Sequence, residues 1–478
     1  MNSMLDKTAF YINGSWVAPA SQERAEVINP ADETACATIA LANERDVDQA
    51  VAAAKAAFPA YAALPLAERI GLLEKLLEIY QARADDMATA ISMEMGAPIS
   101  MARAAQVGAG TSGIADTIAA LKIYPFEEVM EPSGDWVWRE PIGVCGLITP
   151  WNWPMNQVTL KVAPALGVGC TMVLKPSEIA PLSSHLFAEM VHEAGFPAGV
   201  FNLVNGDGPT CGVAMSRHPD IAAMSFTGSA RGGISVAQES APTIKRVSQE
   251  LGGKSPNIIL NDANLARAVK IGVLHCMNNT GQSCNAPTRM LIQDDVYESA
   301  IEIAAETVQK VTVGQPADEG RHIGPLVSQA QFDKVQDLIQ QGITEGARLV
   351  AGGTGRPEGF NRGYFVKPTI FADVTNDMTV AREEIFGPVL SMIRFTDDAQ
   401  AIEIANDTDF GLDSFLHGGD HARLMNIARQ LRAGRVNVNG TSFKGAAPFG
   451  GYKQSGNGRE NGIFGIDEFV ETKAVTPF

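Results

Sequence analysis

Four short apolar runs decide the fold: VCGLIT at 144–149, TMVLK at 171–175, VFNLV at 200–204 and AAMSF at 222–226. Each is rich in strand-forming residues and is bounded by Gly, Pro or Asn. Helical stretches of about 10–15 residues, such as 181–195 and 229–239, separate them. Strand–helix alternation of this kind implies an α/β fold with a doubly wound, mainly parallel sheet, which binds ligands at the C-terminal ends of its strands. Downstream, NIIL (257–260), RMLIQ (289–293), RLVAG (348–352), PVLSMIRF (388–395) and RVNVN (435–439) mark a second alternating stretch over about 254–440. That is long enough for a separate α/β domain. Upstream, residues about 44–95 read as helices, with Leu66, Ile70, Leu73, Leu76 and Leu77 at helical spacing. Between them, FEEVM and DWVWRE flank the turn Pro132-Ser133-Gly134-Asp135 and predict a hairpin, either on the surface or as an arm to another subunit. The tail FVETKAV alternates like an edge strand that pairs with the hairpin or a neighbour.

The chain has 478 residues, a prior of about three compact units. Its 37 basic and 54 acidic residues give a net charge of −17. That balance argues against general nucleic-acid binding and against docking on anionic lipid. The most apolar long stretch, 142–174, is broken by three prolines and by Asn152, Asn156 and Lys161, so no membrane span is expected. The N-terminus has no basic start followed by a long apolar run, and no signal peptide is read there. Six cysteines without a C-x-x-C pair point to reduced thiols and a cytoplasmic setting. Seven histidines form no ligand cluster, and no metal is expected.

Cys36, Cys145, Cys170, Cys211 and Cys276 lie among small or apolar residues and read as core. Cys284, in Asn278-Asn279-Thr280-Gly281-Gln282-Ser283-Cys284-Asn285, has polar neighbours instead, and a nucleophile or an inert thiol fits equally. A reactive thiol there requires local positive potential or backbone donors. Glu250 ends a strand-like stretch at Gly252-Gly253, two glycines that permit close approach of backbone or ligand. It is either a water-activating carboxylate or the partner of Lys254 in a surface salt bridge, and local sequence favours the salt bridge. Asn152, in the Pro- and Trp-braced turn 150–154, is either an oxyanion donor or an ordinary turn asparagine. Phe226-Thr227-Gly228-Ser229 joins a strand to a helix whose N-terminus suits a pyrophosphate. Lys175 and Glu178, after TMVLK, are placed to grip ribose hydroxyls. Gly206-x-Gly208 is a weak phosphate fingerprint with the wrong spacing.

Seven segments in order, TPWNWP, KPSE, FTGS, ELGGKSP, GQSC, EEIFGP and PFGGYKQSGNGRE, together resemble the aldehyde dehydrogenase superfamily over nearly the whole chain. The glutamate and cysteine are 34 positions apart, as in that family. The resemblance implies a Rossmann-type cofactor domain (1–121 and 142–252), an α/β catalytic domain (253–455) and a small β bridging region (122–141 and 456–478). It implies Cys284 as nucleophile, Glu250 as general base and Asn152 as oxyanion donor. The cofactor set it implies is Trp151, Lys175, Ser177, Glu178, Gly208, Phe226, Thr227, Gly228, Ser229, Gly233, Leu251, Gly252, Glu384 and Phe386. Glu460 and Lys161 stand behind the base. Asn156, Gln157 and Leu160 are implied for one wall of an aldehyde pocket, Phe443 and Phe449 for another, and Ser283 and Asn285 for the flanks of Cys284.

The implied reaction oxidises an aldehyde to the free acid through a cysteine thiohemiacetal and a thioester hydrolysed by Glu-activated water. NAD is expected over NADP, because the Glu178 carboxylate repels a 2′-phosphate, although Lys175 can compensate. A homodimer or homotetramer is expected. Three alternatives stand beside this reading: transfer of the thioester to coenzyme A, which the presence of Glu250 opposes; a cofactor-independent cysteine esterase; and a fold that has lost its chemistry. No arginine stands among the implied pocket positions, which speaks mildly against a carboxylate-bearing semialdehyde, but Lys444 is near enough in sequence to weaken that argument. The segment GTSFKGAAP departs from the patterns of betaine aldehyde and succinate semialdehyde enzymes.

Overall fold

The computed structural model describes residues 4–441 and 445–476. The N-terminal part forms five short strands, β1–β5 (Leu5–Lys7, Phe10–Ile12, Ser15–Val17, Arg24–Asn29 and Thr34–Ala40), which the sequence reading did not resolve. Three are only three residues long, too short for alternation to register. Asn13 and Gly14, both at positive φ (52° and 78°), close the β2–β3 hairpin. Helices Glu44–Ala62, Leu66–Ala82 and Ala84–Met95 follow as expected.

The hairpin forms as β6 (Glu127–Met130) and β7 (Asp135–Pro141). The four decisive runs become β8 (Val144–Ile148), β9 (Thr171–Lys175), β10 (Phe201–Leu203) and β11 (Ala223–Thr227), joined by β12 (Arg246–Glu250). The sheet order is β12-β11-β8-β9-β10-β2-β3, with β8 to β12 parallel. The chain leaves central β8 toward β9 and β10, then crosses to β11. The crevice between β8 and β11 is therefore the topological switch point, where such sheets take ligands. Every residue of β8, β9 and β11 is buried, so these strands read as continuous apolar runs.

The second sheet runs β15-β16-β17-β14-β13-β18-β19. Its strands are β13 (Pro256–Ile259), β14 (Arg289–Gln293), β15 (Arg348–Ala351), β16 (Thr369–Ala372), β17 (Val389–Phe395), β18 (Asp413–His417) and β19 (Arg435–Val438). Only β15 is antiparallel to its neighbour. The tail strand β20 (Val470–Val475) pairs with β7 over six residues, so hairpin and tail share one three-stranded sheet.

β12 ends at Glu250 and β13 begins at Pro256. The C-terminal ends of the first sheet thus face the N-terminal ends of the second across five residues. The guanidinium of Arg289, fully buried, anchors that link by donating to Lys254 O at 3.0 Å.

Candidate active site

Cys284 is delivered by an unusual turn. Helix Leu265–Met277 ends, and Asn279, Thr280 and Gly281 follow at φ of 51°, 57° and 71°. A β-branched residue at positive φ is strained and persists only where surrounding bonds enforce it. Those bonds are present. Asn279 Nδ2 donates to Asn152 O (2.9 Å) and Gln282 O (3.1 Å), Thr280 Oγ1 to Gly324 O (3.1 Å), and Gln282 Oε1 accepts from Val327 N (2.9 Å). The close approach that Gly252 and Gly253 permit is made by protein groups. A Cβ at Gly253 would collide with Cys284 O, and one at Gly252 would lie 2.5 Å from Glu384 Oε2.

The turn after β8 brings Asn152 to the same place. Asn152 is buried, and its Nδ2 donates to Gln282 O at 3.1 Å, two residues before the thiol. Trp153 Nε1 donates to Ser283 Oγ at 2.8 Å. Two side chains of the β8 turn therefore clamp the cysteine loop.

Glu250 does not form the surface salt bridge with Lys254 that local sequence favours. β12 carries it into the interior, where it is 3% exposed and neither carboxylate oxygen has a hydrogen-bond partner. Lys254 is buried too, its ammonium unpartnered and its pKa pushed down to about 7 by burial. Gly450 leaves room for the carboxylate, since a Cβ there would lie 2.5 Å from Glu250 Oε1. Burial raises the Glu250 pKa well above the carboxylate range; Glu460 raises it further, and Lys161 and Arg459 offset part of this. Glu460 itself is ion-paired to Lys161 at 2.7 Å, both buried.

The thiol of Cys284 is pushed up by burial and then by Glu384, Glu250, Glu460 and Asp413. A reactive thiol requires local positive potential or backbone donors, and of these the charges around Cys284 supply the opposite of the first, since acids dominate. The thiol is accordingly neutral at rest, and a nearby base has to take its proton.

Among the described residues, Cys284 and Gln157 line both of two cavities. The first cavity lies at the β8/β11 switch point and includes Trp151, Asn152, Thr227, Gly228, Ser229, Leu251, Gly252, Glu384 and Phe386. Phe386, at φ 58°, meets the Trp151 ring edge-on at 5.4 Å. Glu384 Oε1 accepts from Gly253 N at 2.9 Å. Gln331 and Lys334 also line this cavity and were missed by sequence reading; they donate to Phe386 O (2.9 Å) and Glu384 O (2.7 Å).

Of the other expected cofactor residues, Lys175, Ser177, Glu178, Gly208, Phe226 and Gly233 do not line this cavity. Lys175 Nζ is buried at the end of β9, donating to Gly206 O (2.7 Å) and Pro176 O (3.1 Å), with Glu178 Oε2 at 3.5 Å. Ser177 Oγ accepts from Ile179 N at 3.3 Å. Gly208 is exposed at the start of a turn that Asp207 caps. The Phe226 ring lies beneath Gly228 and Gly232, and Gly233 packs on Leu251. Ser229 caps helix Ala230–Ser240, its Oγ accepting from Gly232 N at 3.2 Å. These residues fit a dinucleotide on two observations. The buried Thr227 hydroxyl has no partner and lines the cavity, and an eleven-residue helix presents its N-terminus beside it.

The second cavity, of about 450 Å³, is lined by Trp153, Asn156, Gln157, Leu160, Ser283, Asn285 and Phe449 beside Cys284. Phe443 and Lys444 lie outside the described residues. His275, Phe415, His417, Arg435 and Asn437 also line it, and sequence reading named none of them. Arg435 corrects the expectation that no arginine faces the pocket. It is ion-paired to the buried Asp413 and lies over the Phe449 ring at 5.3 Å. Arg435 was missed because strand β19, 151 positions after Cys284, carries it there.

The family model that matches residues 16–475 describes the aldehyde dehydrogenase family. A 3-succinoylsemialdehyde-pyridine dehydrogenase from a Pseudomonas species is 51% identical over 99% of both chains. An aldehyde dehydrogenase from Bartonella henselae superposes with a TM-score of 0.98 at 53% identity, over 99% of this chain and 100% of that one. A mutant of Aldehyde Dehydrogenase C from Pseudomonas syringae, complexed with NAD+ and octanal, gives 0.97 at 49% identity, over 98% and 96%. The chain therefore belongs to the aldehyde dehydrogenase family and oxidises an aldehyde to the carboxylic acid with NAD+ as cofactor.

Proposed function

We propose that Cys284 is the nucleophile, Asn152 the oxyanion donor and Glu250 the general base. The observation that carries this is the place of Cys284 on the shared wall of two cavities, with Asn152 on the cofactor-side wall and the buried, unpartnered Glu250 carboxylate near enough to act electrostatically on the thiol. Bound NAD+ supplies the hydride acceptor. Cys284 Sγ bonds to the aldehyde carbon as its proton passes to ionised Glu250, directly or through water. The Asn152 amide and the Cys284 backbone N–H hold the alkoxide. Loss of hydride leaves a thioester on Cys284. Glu250 releases the thiol's proton to solvent and then takes a proton from water as the water oxygen adds to the acyl carbon; the Cys–acyl bond breaks, the sulfur is reprotonated, and the acid leaves. Trp151, Thr227, Gly228, Ser229, Leu251, Gly252, Glu384 and Phe386 hold the nicotinamide and pyrophosphate half. Lys175, Ser177, Glu178 and Gly208 hold the adenosine half. Glu460 and Lys161 set the field behind Glu250.

The substrate is an uncharged aldehyde. Among the described residues the charge of Arg435 is balanced by Asp413, and burial pushes His275 and His417 down to about 4, so these groups offer no unbalanced cation to a carboxylate. The octanal of the Pseudomonas syringae complex is of this kind. A panel of octanal, a pyridyl aldehyde and succinate semialdehyde, scored by kcat/KM, tests the assignment. Succinate semialdehyde ranking first overturns it.

The division into 1–121 with 142–252, 253–455, and 122–141 with 456–478 is supported by the sheets, since the first range holds both the β1-β5-β4 sheet and the β8–β12 sheet, the second the β13–β19 sheet and the third the β20-β7-β6 sheet. A homodimer or homotetramer is supported by Val129, Met130 and Trp136, large apolar side chains left exposed on the hairpin. Light scattering tests it. Six free cysteines support a cytoplasmic setting. Among the described residues no helix is long and apolar enough to cross a membrane.

A further inference from the structure

Gln106 lines neither cavity, yet it reaches both the β8 turn, through Asn152, and the cysteine loop, through Asn279. It is fully buried at the end of one π-helical turn, Ala102–Gln106, in which Val107 N–H reaches back five residues to Ala102 O. Such turns interrupt helices where a side chain must be aimed. Its Nε2 lies 3.1 Å from Asn152 O, 3.2 Å from Asn279 Oδ1 and 3.6 Å from Met95 Sδ. All three are acceptors, so the donor end of the amide is fixed. Asn279 Nδ2 faces two backbone carbonyls, Asn152 O and Gln282 O, so its orientation is fixed as well. Asn152 Nδ2 closes the circuit on Gln282 O.

The β8 turn and the cysteine loop are thus tied together by side-chain amides, and Gln106 joins both from a third element. Its own Oε1 is buried without a partner. A group kept only for packing would not carry that desolvation cost, because methionine fills a similar volume without an orphaned carbonyl.

We propose that Gln106 is a positioning residue, fixing the separation between Asn152 and Cys284 so that the amide meets the alkoxide as it forms. This rests on the reading of Asn152 as oxyanion donor. Preorganised donors stabilise a transition state only when their placement is rigid, and a misplacement of about 1 Å costs about 100-fold in rate.

The test is a double-mutant cycle of Q106M and N152A on the full enzyme with NAD+ and octanal. Q106M is expected to lower kcat about 10- to 100-fold, with KM for NAD+ changed less than about twofold. A primary isotope effect with 1-deuterated octanal should appear or grow, as hydride transfer becomes limiting. In the N152A background the same substitution should cost less than about threefold. Wild-type kcat in Q106M, or an equal loss in both backgrounds, overturns the inference while leaving the Asn152 reading intact. Full activity in N152A overturns both. Should Q106M fail to fold, Q106E keeps the shape and removes the double donor, and the same criteria apply.

Discussion

The two cavities that meet at Cys284 are built in opposite ways. The cofactor-side cavity is made largely by turns at the ends of β8, β11 and β12, and most of its wall is contiguous in sequence: Pro150 to Asn152, Thr227 to Ser229, and Leu251 with Gly252. The aldehyde-side cavity gathers single residues from helix Pro154–Val168, helix Leu265–Met277 and strands β13, β18 and β19. One wall repeats a backbone geometry that any dinucleotide needs. The other is a mosaic of side chains that can change one at a time. The comparison separates what holds a common cofactor from what chooses a substrate.

The sharpest way to break the comparison is to remove the junction. C284A should lower turnover at least about 10⁴-fold while NAD+ binding, followed by calorimetry, stays within about twofold. Loss of binding instead would mean that the two sides are not separable. N152A comes next, with a fall of about 10²–10³ in kcat, equivalent to about 3–4 kcal/mol of transition-state stabilisation. An effect confined to KM would place Asn152 in ground-state binding.

E250Q should follow, lowering steady-state turnover about 100-fold without a rapid burst of NADH, because the neutral thiol loses the base that takes its proton before acylation. The pH dependence has a definite sign. Glu250 works ionised and its pKa is raised, so wild-type kcat should climb as pH rises above the ordinary carboxylate range. The raised thiol pKa of Cys284 pushes kcat/KM the same way. An activity optimum on the acid side contradicts both. The smallest effect belongs to the far end of the cofactor side. E178Q should relax discrimination against NADP by about tenfold or less, since Glu178 is partly exposed and screened. An unchanged NAD/NADP ratio of kcat/KM would move the selectivity elsewhere.

Legibility follows the same division. Strands β8 (144–148) and β11 (223–227) are buried on both faces, so their apolar continuity shows in one dimension. Cys284 stood out because its neighbours are too polar for a core. Glu250 misled, since a Lys four positions on suggests a surface pair, and only the course of β12 shows both groups buried and apart. Gln106, Arg435, Gln331 and Lys334 gave no local signal. Their partners lie 46, 22, 55 and 50 positions away, in elements whose contact depends on how sheets and helices stack.

By itself the sequence determined the α/β class, the order of strands and helices, and the residue types able to do covalent chemistry on an aldehyde, because these depend on local periodicity and short motifs. The tertiary structure alone decided which carboxylate is stripped of partners, which is neutralised by Lys161, and which arginine reaches the pocket. Burial and pairing are properties of the space around a side chain, and residues distant in the chain fill that space.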